Sequence, residues 1–141
     1  MIMKQKRIYI AYRFVEHEKK KLRKNLEQLS KCFESLGYKT FIFYRDIENW
    51  KEPILTKKQI ILRALKELKK SDIFVLFNDA KDKGEGCILE AGFAKAFGKE
   101  MVLLDLNGIN YYFIDELIDF KVSARTMPNL LKDIKAKFPL A

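Results

Sequence analysis

Residues 73–106 read IFVLFNDAKDKGEGCILEAGFAKAFGKEMVLLDL, and they give the clearest indication of the fold. Residues 73–77 are apolar at every position, which is typical of a strand buried on both faces in the middle of a parallel sheet. A polar, glycine-containing turn over residues 78–86 leads into a helix of small residues over 87–97, which Gly98 closes. Residues 101–106 form a second strand of this kind. The stretch therefore predicts a strand–helix–strand unit with parallel strands.

The same alternation of strands and helices continues before and after this stretch. The other predicted strands are Arg7–Tyr12, residues 40–44 and, with a weaker signal, Phe120–Ser123. The other predicted helices are residues 15–36, a helix with Thr56 as its N-cap and Leu68 facing inward, and residues 128–138. We predict a single α/β domain over residues 1–141, a three-layer flavodoxin- or Rossmann-like sandwich with a parallel sheet of about five strands.

Ligands of such sheets bind at the carboxyl ends of the strands, so the loops that follow the strands are the candidate binding segments. These loops are residues 12–16, 45–55, 78–86 and 107–110. Gly84 and Gly86 allow a ligand to approach the main chain closely, and the start of the next helix offers free N–H groups. Glu90, near this helix start, is the candidate catalytic residue. An acidic residue there also stabilises a helix by itself, so the pattern alone leaves both roles open.

Composition and charge exclude several classes of protein. The net charge is +9, but most lysines and arginines lie on predicted helix faces opposite the apolar stripe, which indicates a solvated surface rather than a nucleic-acid interface. Two cysteines and one histidine form no metal-binding pattern, and Gly84-x-Gly86 lacks the third glycine of a dinucleotide fingerprint. We therefore expect no metal and no cofactor. The N-terminal apolar run is too short for a signal peptide or a membrane span, which predicts a soluble, cytoplasmic protein.

Residues 86–99, GCILEAGFAKAFGK, followed by EMVLL, resemble the signature of the nucleoside 2-deoxyribosyltransferase family, which includes deoxynucleoside 5′-monophosphate N-hydrolases. The first strand, with Tyr9 in the run IYIA, is similar to the first strand of that family. The resemblance covers strands one, three and four with their following turns. It implies a nucleoside or nucleotide as the substrate. We also expect a homodimer or a higher homo-oligomer.

The resemblance also implies roles for individual residues. Glu90 matches the nucleophile of the family, and Tyr9 matches the tyrosine that orients its carboxylate. Asp82 matches the aspartate that holds the sugar hydroxyls, although one extra residue separates it from the glutamate here; outside the resemblance it is simply a turn residue. The predicted substrate-binding residues are Asp82, Gly84, Gly86 and Tyr12.

One position departs from the pattern of the family. Its members commonly carry an aspartate, the proton donor to the base, eight positions before the aspartate that opens the third strand. Counting back from Asp72 gives Ala64. Proton donation of this kind usually contributes ~10²–10⁴-fold to the rate. The missing acid therefore predicts a slower enzyme, or one restricted to bases that leave without help.

The leading prediction is cleavage of an N-glycosidic bond, in which a carboxylate beneath the anomeric carbon stabilises the positive charge that develops on the sugar. Attack by water would give hydrolysis, and attack by a second base would give transfer. Two alternatives stay open. The run YIAY from Tyr9, the segment 41–46 and Ser71-Asp72 also resemble a Toll/interleukin-1 receptor domain, whose enzymatic members cleave NAD with a helix glutamate. Ala64 favours a non-catalytic nucleotide-binding or protein-interaction module.

Overall fold

The computed structural model describes residues 4–79, 84–106, 108 and 111–141. Its strands are β1 (Arg7–Tyr12), β2 (Lys39–Ile42), β3 (Ile73–Asn78), β4 (Glu100–Asp105) and β5 (Phe120–Ser123). Its α-helices are α1 (Lys19–Ser35), α2 (Phe43–Asp46), α3 (Lys57–Lys69), α4 (Glu85–Ala96) and α5 (Met127–Lys137). Two short 3₁₀ helices cover Glu16–Glu18 and Ile114–Leu117.

The five strands form one parallel sheet in the order β2-β1-β3-β4-β5. β3 lies at the centre, with Phe74 beside Tyr9 of β1 and Phe77 beside Leu104 of β4. The predicted position of this strand and the predicted fold class are both confirmed. The chain runs from β1 outward to β2 in one direction and from β3 outward to β5 in the other. This reversal opens a crevice beside β1 at the carboxyl ends of the strands, where ligands bind in folds of this type.

Helices cover both faces of the sheet, which gives the three predicted layers. Side chains of β3 alternate between the two cores, because successive residues of a strand point to opposite faces. Val75 and Phe77 pack in the core that contains the buried side of α1 and α5, whereas Phe74 and Leu76 pack in the core beneath α3 and α4. Among the helices of the described ranges, none combines the length and the apolar character that crossing a membrane requires.

Three predicted boundaries are wrong by a few residues. The second strand was expected over residues 40–44, but Phe43 and Tyr44 belong to α2. The carboxylate of Asp46 accepts a hydrogen bond from the backbone N–H of Ile42 at 2.9 Å, and this closes a helical turn directly after the strand. At the two other boundaries, a 3₁₀ turn over Glu16–Glu18 precedes α1, and α4 begins at Glu85 instead of residue 87.

Candidate active site

Tyr9 and Glu90 meet at the crevice, as the sequence predicts. α4 follows β3 and also contacts β1, since the two strands are neighbours. The hydroxyl of Tyr9 donates a hydrogen bond to Oε2 of Glu90. The ring of Tyr9 is held between Phe41 and Phe74, with centroid distances of 5.3 and 6.1 Å. The contact is therefore built on a packed aromatic cluster, while the catalytic roles of the two residues stay predictions.

The surroundings of Glu90 change its acidity. The carboxyl group is half-buried, and removal from water raises its pKa to about 7, whereas the hydrogen bond from Tyr9 favours the charged form and lowers the pKa. Burial, and then the charge of Glu90, raise the pKa of Tyr9 far above its usual range. Tyr9 is therefore a hydrogen-bond donor at any ordinary pH. Perturbed carboxyl groups of this kind are concentrated at functional sites.

A cavity of about 290 Å³ opens beside this pair. Part of its wall is aromatic: Phe14, Phe43 and Tyr44, from the segments that follow β1 and β2, line it beside the two tyrosines of β1. Small-molecule sites commonly have apolar walls and a few polar groups, and their volumes run from ~300 to 1,000 Å³. Glu90 is one of the few charged residues that line this cavity. The arrangement can hold a planar apolar group near a carboxylate.

A second opening, of about 270 Å³, adjoins the first at the start of α4 and shares Glu90 and Tyr12 with it. Arg13 and Gly84 lie at its border. A Cβ on Gly84 would lie 3.2 Å from Cγ of Arg13, so the absence of a side chain there lets the arginine pack closely. Gly86 borders both cavities, and a Cβ there would meet no atom within 4 Å. Gly86 therefore leaves the backbone of this edge open to a ligand, whereas the space beside Gly84 is filled by Arg13.

The structure brings together most of the predicted site residues. Glu90, Tyr9, Tyr12 and Gly86 line the first cavity, and Gly84 lies at the second. Asp82 lies outside the described residues. Ala64 is buried and lines the first cavity, so the position where the family would carry an acid does face the site, but with a methyl group.

The sequence did not single out every residue of the site. Glu48 lines the first cavity from the turn after α2, within the segment that was predicted only as a loop. Burial, followed by the charge of Glu48, raises the pKa of the Tyr12 hydroxyl well above its usual value. Burial likewise raises the pKa of Cys87 far above the usual range, which keeps this thiol protonated and unreactive. Among the described residues, no group of three or more His, Cys, Asp or Glu side chains is placed to hold a metal ion.

The fold of the chain is similar to the folds of several solved protein structures. No protein-family model matches the chain, and no curated protein matches it significantly. Its structure is similar to that of the CMP N-glycosidase BcmB from Clostridium botulinum, with a TM-score of 0.70 and 18% identity over 93% of this chain and 98% of that chain. A 2-deoxyribosyltransferase from Bacillus psychrosaccharolyticus gives a TM-score of 0.68 and 21% identity, over 95% of this chain and 96% of that chain.

A 2-deoxyribosyltransferase from Leishmania mexicana also has a similar structure, with a TM-score of 0.65 and 14% identity over 94% of this chain and 99% of that chain. In all three comparisons the similarity extends over nearly the whole of both chains, so it concerns the complete sheet and both helical layers. The chain thus shares its fold with an N-glycosidase and two 2-deoxyribosyltransferases. This confirms, for the fold, the family resemblance that was inferred from residues 86–99.

Proposed function

We propose that the chain cleaves the N-glycosidic bond of a nucleoside or a nucleoside 5′-monophosphate, with Glu90 as the nucleophile. The observation that carries this proposal is the contact between Tyr9 and Glu90 at the edge of an aromatic cavity. The fold shared with an N-glycosidase and with 2-deoxyribosyltransferases supports it. Hydrolysis and transfer to a second base both fit this chemistry.

In the proposed reaction the base lies against the aromatic wall and the sugar lies over Glu90. As the bond between C1′ and the base nitrogen breaks, its electron pair leaves with the base and positive charge develops on the sugar. The carboxylate of Glu90 stabilises this charge and bonds to C1′. Tyr9 holds one carboxylate oxygen by its hydrogen bond, which leaves the other oxygen for C1′. Water or a second base then attacks C1′ and releases Glu90.

Two features of the second opening favour an anionic group, beside the carboxyl groups of Glu85 and Glu90 that also line it. Arg13 lies at its border, and the first turn of α4 begins there, so a positive side chain and the positive end of a helix dipole are close together. The net charge of +9 would also attract anions. We propose that this opening accepts the 5′-phosphate of a nucleotide, while Asp82 contacts the sugar hydroxyls as the resemblance implies.

Incubation with a panel of nucleosides, ribo- and deoxyribonucleoside 5′-monophosphates and NAD, with chromatography of the released bases, tests the proposed function. The expected result is release of a free base from at least one nucleoside or nucleotide. Release of nicotinamide from NAD alone would favour the enzyme of Toll/interleukin-1 receptor type. A wild-type protein that releases no base from any member of the panel would favour the non-catalytic module.

Tyr9→Phe is expected to lower kcat/KM at pH 7 by roughly ten- to a hundredfold, because a hydrogen bond to a charged group contributes ~1.5–3 kcal/mol. The nucleophile must be ionised, so activity rises as the pH passes the pKa of Glu90, about 7. Since Tyr9 lowers that pKa, its loss should move this acidic limb to higher pH. The measurement is the pH profile of kcat/KM. Tyr112→Phe, at an exposed tyrosine, is the control; an unmoved limb in Tyr9→Phe would contradict the orienting role.

We also propose that the chain forms a homodimer or a higher homo-oligomer. Several large apolar side chains of α3, α4 and the segment before Ile114–Leu117 are exposed to solvent: Leu62, Ile88, Leu89, Tyr112 and Phe113. Exposed apolar groups of this size are common at interfaces between protein chains. Light scattering coupled to size-exclusion chromatography should give at least twice the mass of one chain. The mass of a single chain at micromolar concentration would contradict this proposal.

A further inference from the structure

Carboxyl groups other than that of Glu90 line the cavity, and the proposed reaction needs an acid. A departing base needs a proton, but residue 64 presents only a methyl group to the cavity. Besides Glu90, the carboxyl groups that line the cavity are those of Glu48 and Glu52. The side chain of Glu52 is 72% exposed and lies 3.7 Å from the ammonium group of Lys19. Glu48 is half-buried, and within the described part of the chain its carboxyl group has no hydrogen-bond or ion-pair partner.

We propose that Glu48 is the proton donor to the departing base, a role that residue 64 cannot fill because it is alanine. This inference rests on the proposed function and adds a second catalytic residue to it. Three observations support it: the side of the cavity from which Glu48 approaches, the contacts that hold the turn that carries it, and the environment of its carboxyl group.

Glu48 and Glu90 reach the cavity from opposite sides of β1. Glu48 follows β2 and α2, Glu90 follows β3, and β1 lies between β2 and β3 in the sheet. Tyr12, at the end of β1, lies near both carboxyl groups, since the charges of both raise the pKa of its hydroxyl after the larger effect of burial. An in-line displacement at C1′ requires the nucleophile on one face of the sugar and the leaving base on the other. A substrate between the two carboxyl groups satisfies this requirement.

The turn that carries Glu48 is held by several contacts. The backbone N–H of Glu48 donates to the carbonyl of Phe43 at 3.2 Å, and that of Trp50 donates to the carbonyl of Tyr44 at 2.8 Å. Asn49 and Trp50 have φ angles of 52° and 60°, in the left-handed region that residues other than glycine seldom adopt. The Trp50 ring packs against Tyr44 at 5.0 Å, and the guanidinium of Arg23 covers it at 5.0 Å. Strain held in this way is typical of functional segments.

The direction in which the pKa of Glu48 is shifted also suits a proton donor. Burial, and then the neighbouring charge of Glu52, raise its pKa above the ordinary value, so the acid form persists to higher pH. The titratable and charged groups that surround it in the cavity are Lys51 and Glu52 on its own turn, Tyr44 on α2, Tyr9 and Tyr12 on β1, and Glu90 on α4. The direction of this shift favours the acid form of Glu48, which a proton donor requires.

The proposed steps return both carboxyl groups to their starting states. The proton of Glu48 moves to a ring nitrogen of the base while the C1′–N bond breaks, and the electron pair of that bond leaves with the base. Glu90 then forms an ester with C1′. The Glu48 carboxylate next accepts a proton from water, or from the N–H of a second base, as that molecule bonds to C1′ and the ester bond to Glu90 breaks. This exchange of acid and base roles is the one used by retaining glycosidases.

Glu48→Gln tests the proposal with two leaving groups. On the nucleoside or nucleotide that the panel identifies, kcat/KM is expected to fall ~10²–10⁴-fold. On a 4-nitrophenyl glycoside of the same sugar, whose nitrophenolate leaves without a proton, the cleavage step should change less than severalfold. The pH profile of Glu48→Gln should then reflect the ionisation of Glu90 alone. Glu100→Gln, at an exposed glutamate on the amino end of β4, is the matched control and should keep wild-type activity.

A purely structural role for Glu48 would lower activity on both leaving groups alike, and this result would overturn the proposal. Glu48→Asp, which keeps the acid on a shorter side chain, should retain more activity than Glu48→Gln. Adding Ala64→Asp to Glu48→Gln should restore part of the lost activity, because it returns an acid to the cavity wall. If the wild type is active and Glu48→Gln has the same activity, the role of Glu48 is overturned and the proposed function stands. If the wild type releases no base, both are overturned.

Discussion

Glu90→Gln is expected to abolish base release, lowering kcat/KM by ~10⁴-fold or more while the fold stays intact. Glutamine keeps the size of the side chain but removes the charge that stabilises the cationic sugar and bonds to C1′. Loss of a nucleophile commonly raises the barrier by several kcal/mol, and each ~1.4 kcal/mol changes the rate tenfold. The measurement is chromatography of the free base after prolonged incubation with the best substrate of the panel.

Glu100→Gln is the control for this experiment, because Glu100 is an exposed glutamate at the amino end of β4 and lines neither cavity. It should change the activity little. Circular dichroism and urea unfolding show whether Glu90→Gln has kept its structure. Equal base release by Glu90→Gln and the wild type would rule out the proposed mechanism.

Glu67→Ala is expected to destabilise the chain by about 3 kcal/mol, a large part of the ~5–15 kcal/mol that stabilises a domain. The carboxylate of Glu67 is buried beside the amino end of β1, whereas the cavity lies at the carboxyl ends of the strands. It accepts hydrogen bonds from Arg7 at 2.7 Å and from Arg63 at 3.2 Å. Alanine would leave the largely buried guanidinium of Arg7 without its anion, and an uncompensated buried charge is costly. Urea unfolding at pH 7 measures the loss.

The stability contributed by Glu67 should depend on pH in one direction. Burial raises the pKa of its carboxyl group, but the hydrogen bonds from Arg7 and Arg63 outweigh burial and hold the pKa below the ordinary value of 4.5. The contribution is therefore complete above that value and is lost as the pH falls through the lower pKa of the folded state. Glu27→Ala removes an exposed pair with Arg23 and should cost less than ~1 kcal/mol. A similarly small loss in Glu67→Ala would contradict the expected effect.

The central part of the fold could be predicted because its physical requirement is visible in short segments. A strand covered by helices on both faces must be apolar at successive positions, and residues 73–77 meet this condition. The contact between Tyr9 and Glu90 was predicted from the family resemblance. The helical turn after β2 was not predicted, because Phe43 and Tyr44 favour strands, whereas the turn is held by the hydrogen bond from Ile42 to Asp46 and by backbone hydrogen bonds to Phe43 and Tyr44.

Two important glutamates could not be recognised because their surroundings come from distant parts of the chain. Glu48 lies in a segment without periodicity, and it lines a cavity whose wall also includes residues of β1, α3 and α4. Glu67 lies among lysines that the sequence assigns to a solvated helix face. Its partner Arg7 is 60 residues away in the sequence, and only the pairing of α3 with the start of β1 brings the two together. Local patterns carry no information about such contacts.

Mass spectrometry of the trapped intermediate tests the role of Glu90 most directly. The best substrate of the panel, with fluorine at C2′, should form the ester with Glu90 and then release it slowly, because the electron-withdrawing fluorine destabilises the cationic transition state. We expect the fluorinated glycosyl group on the peptide that contains Glu90, and we expect no adduct in Glu90→Gln. Attachment to a different residue, or an adduct that persists in Glu90→Gln, would contradict this role.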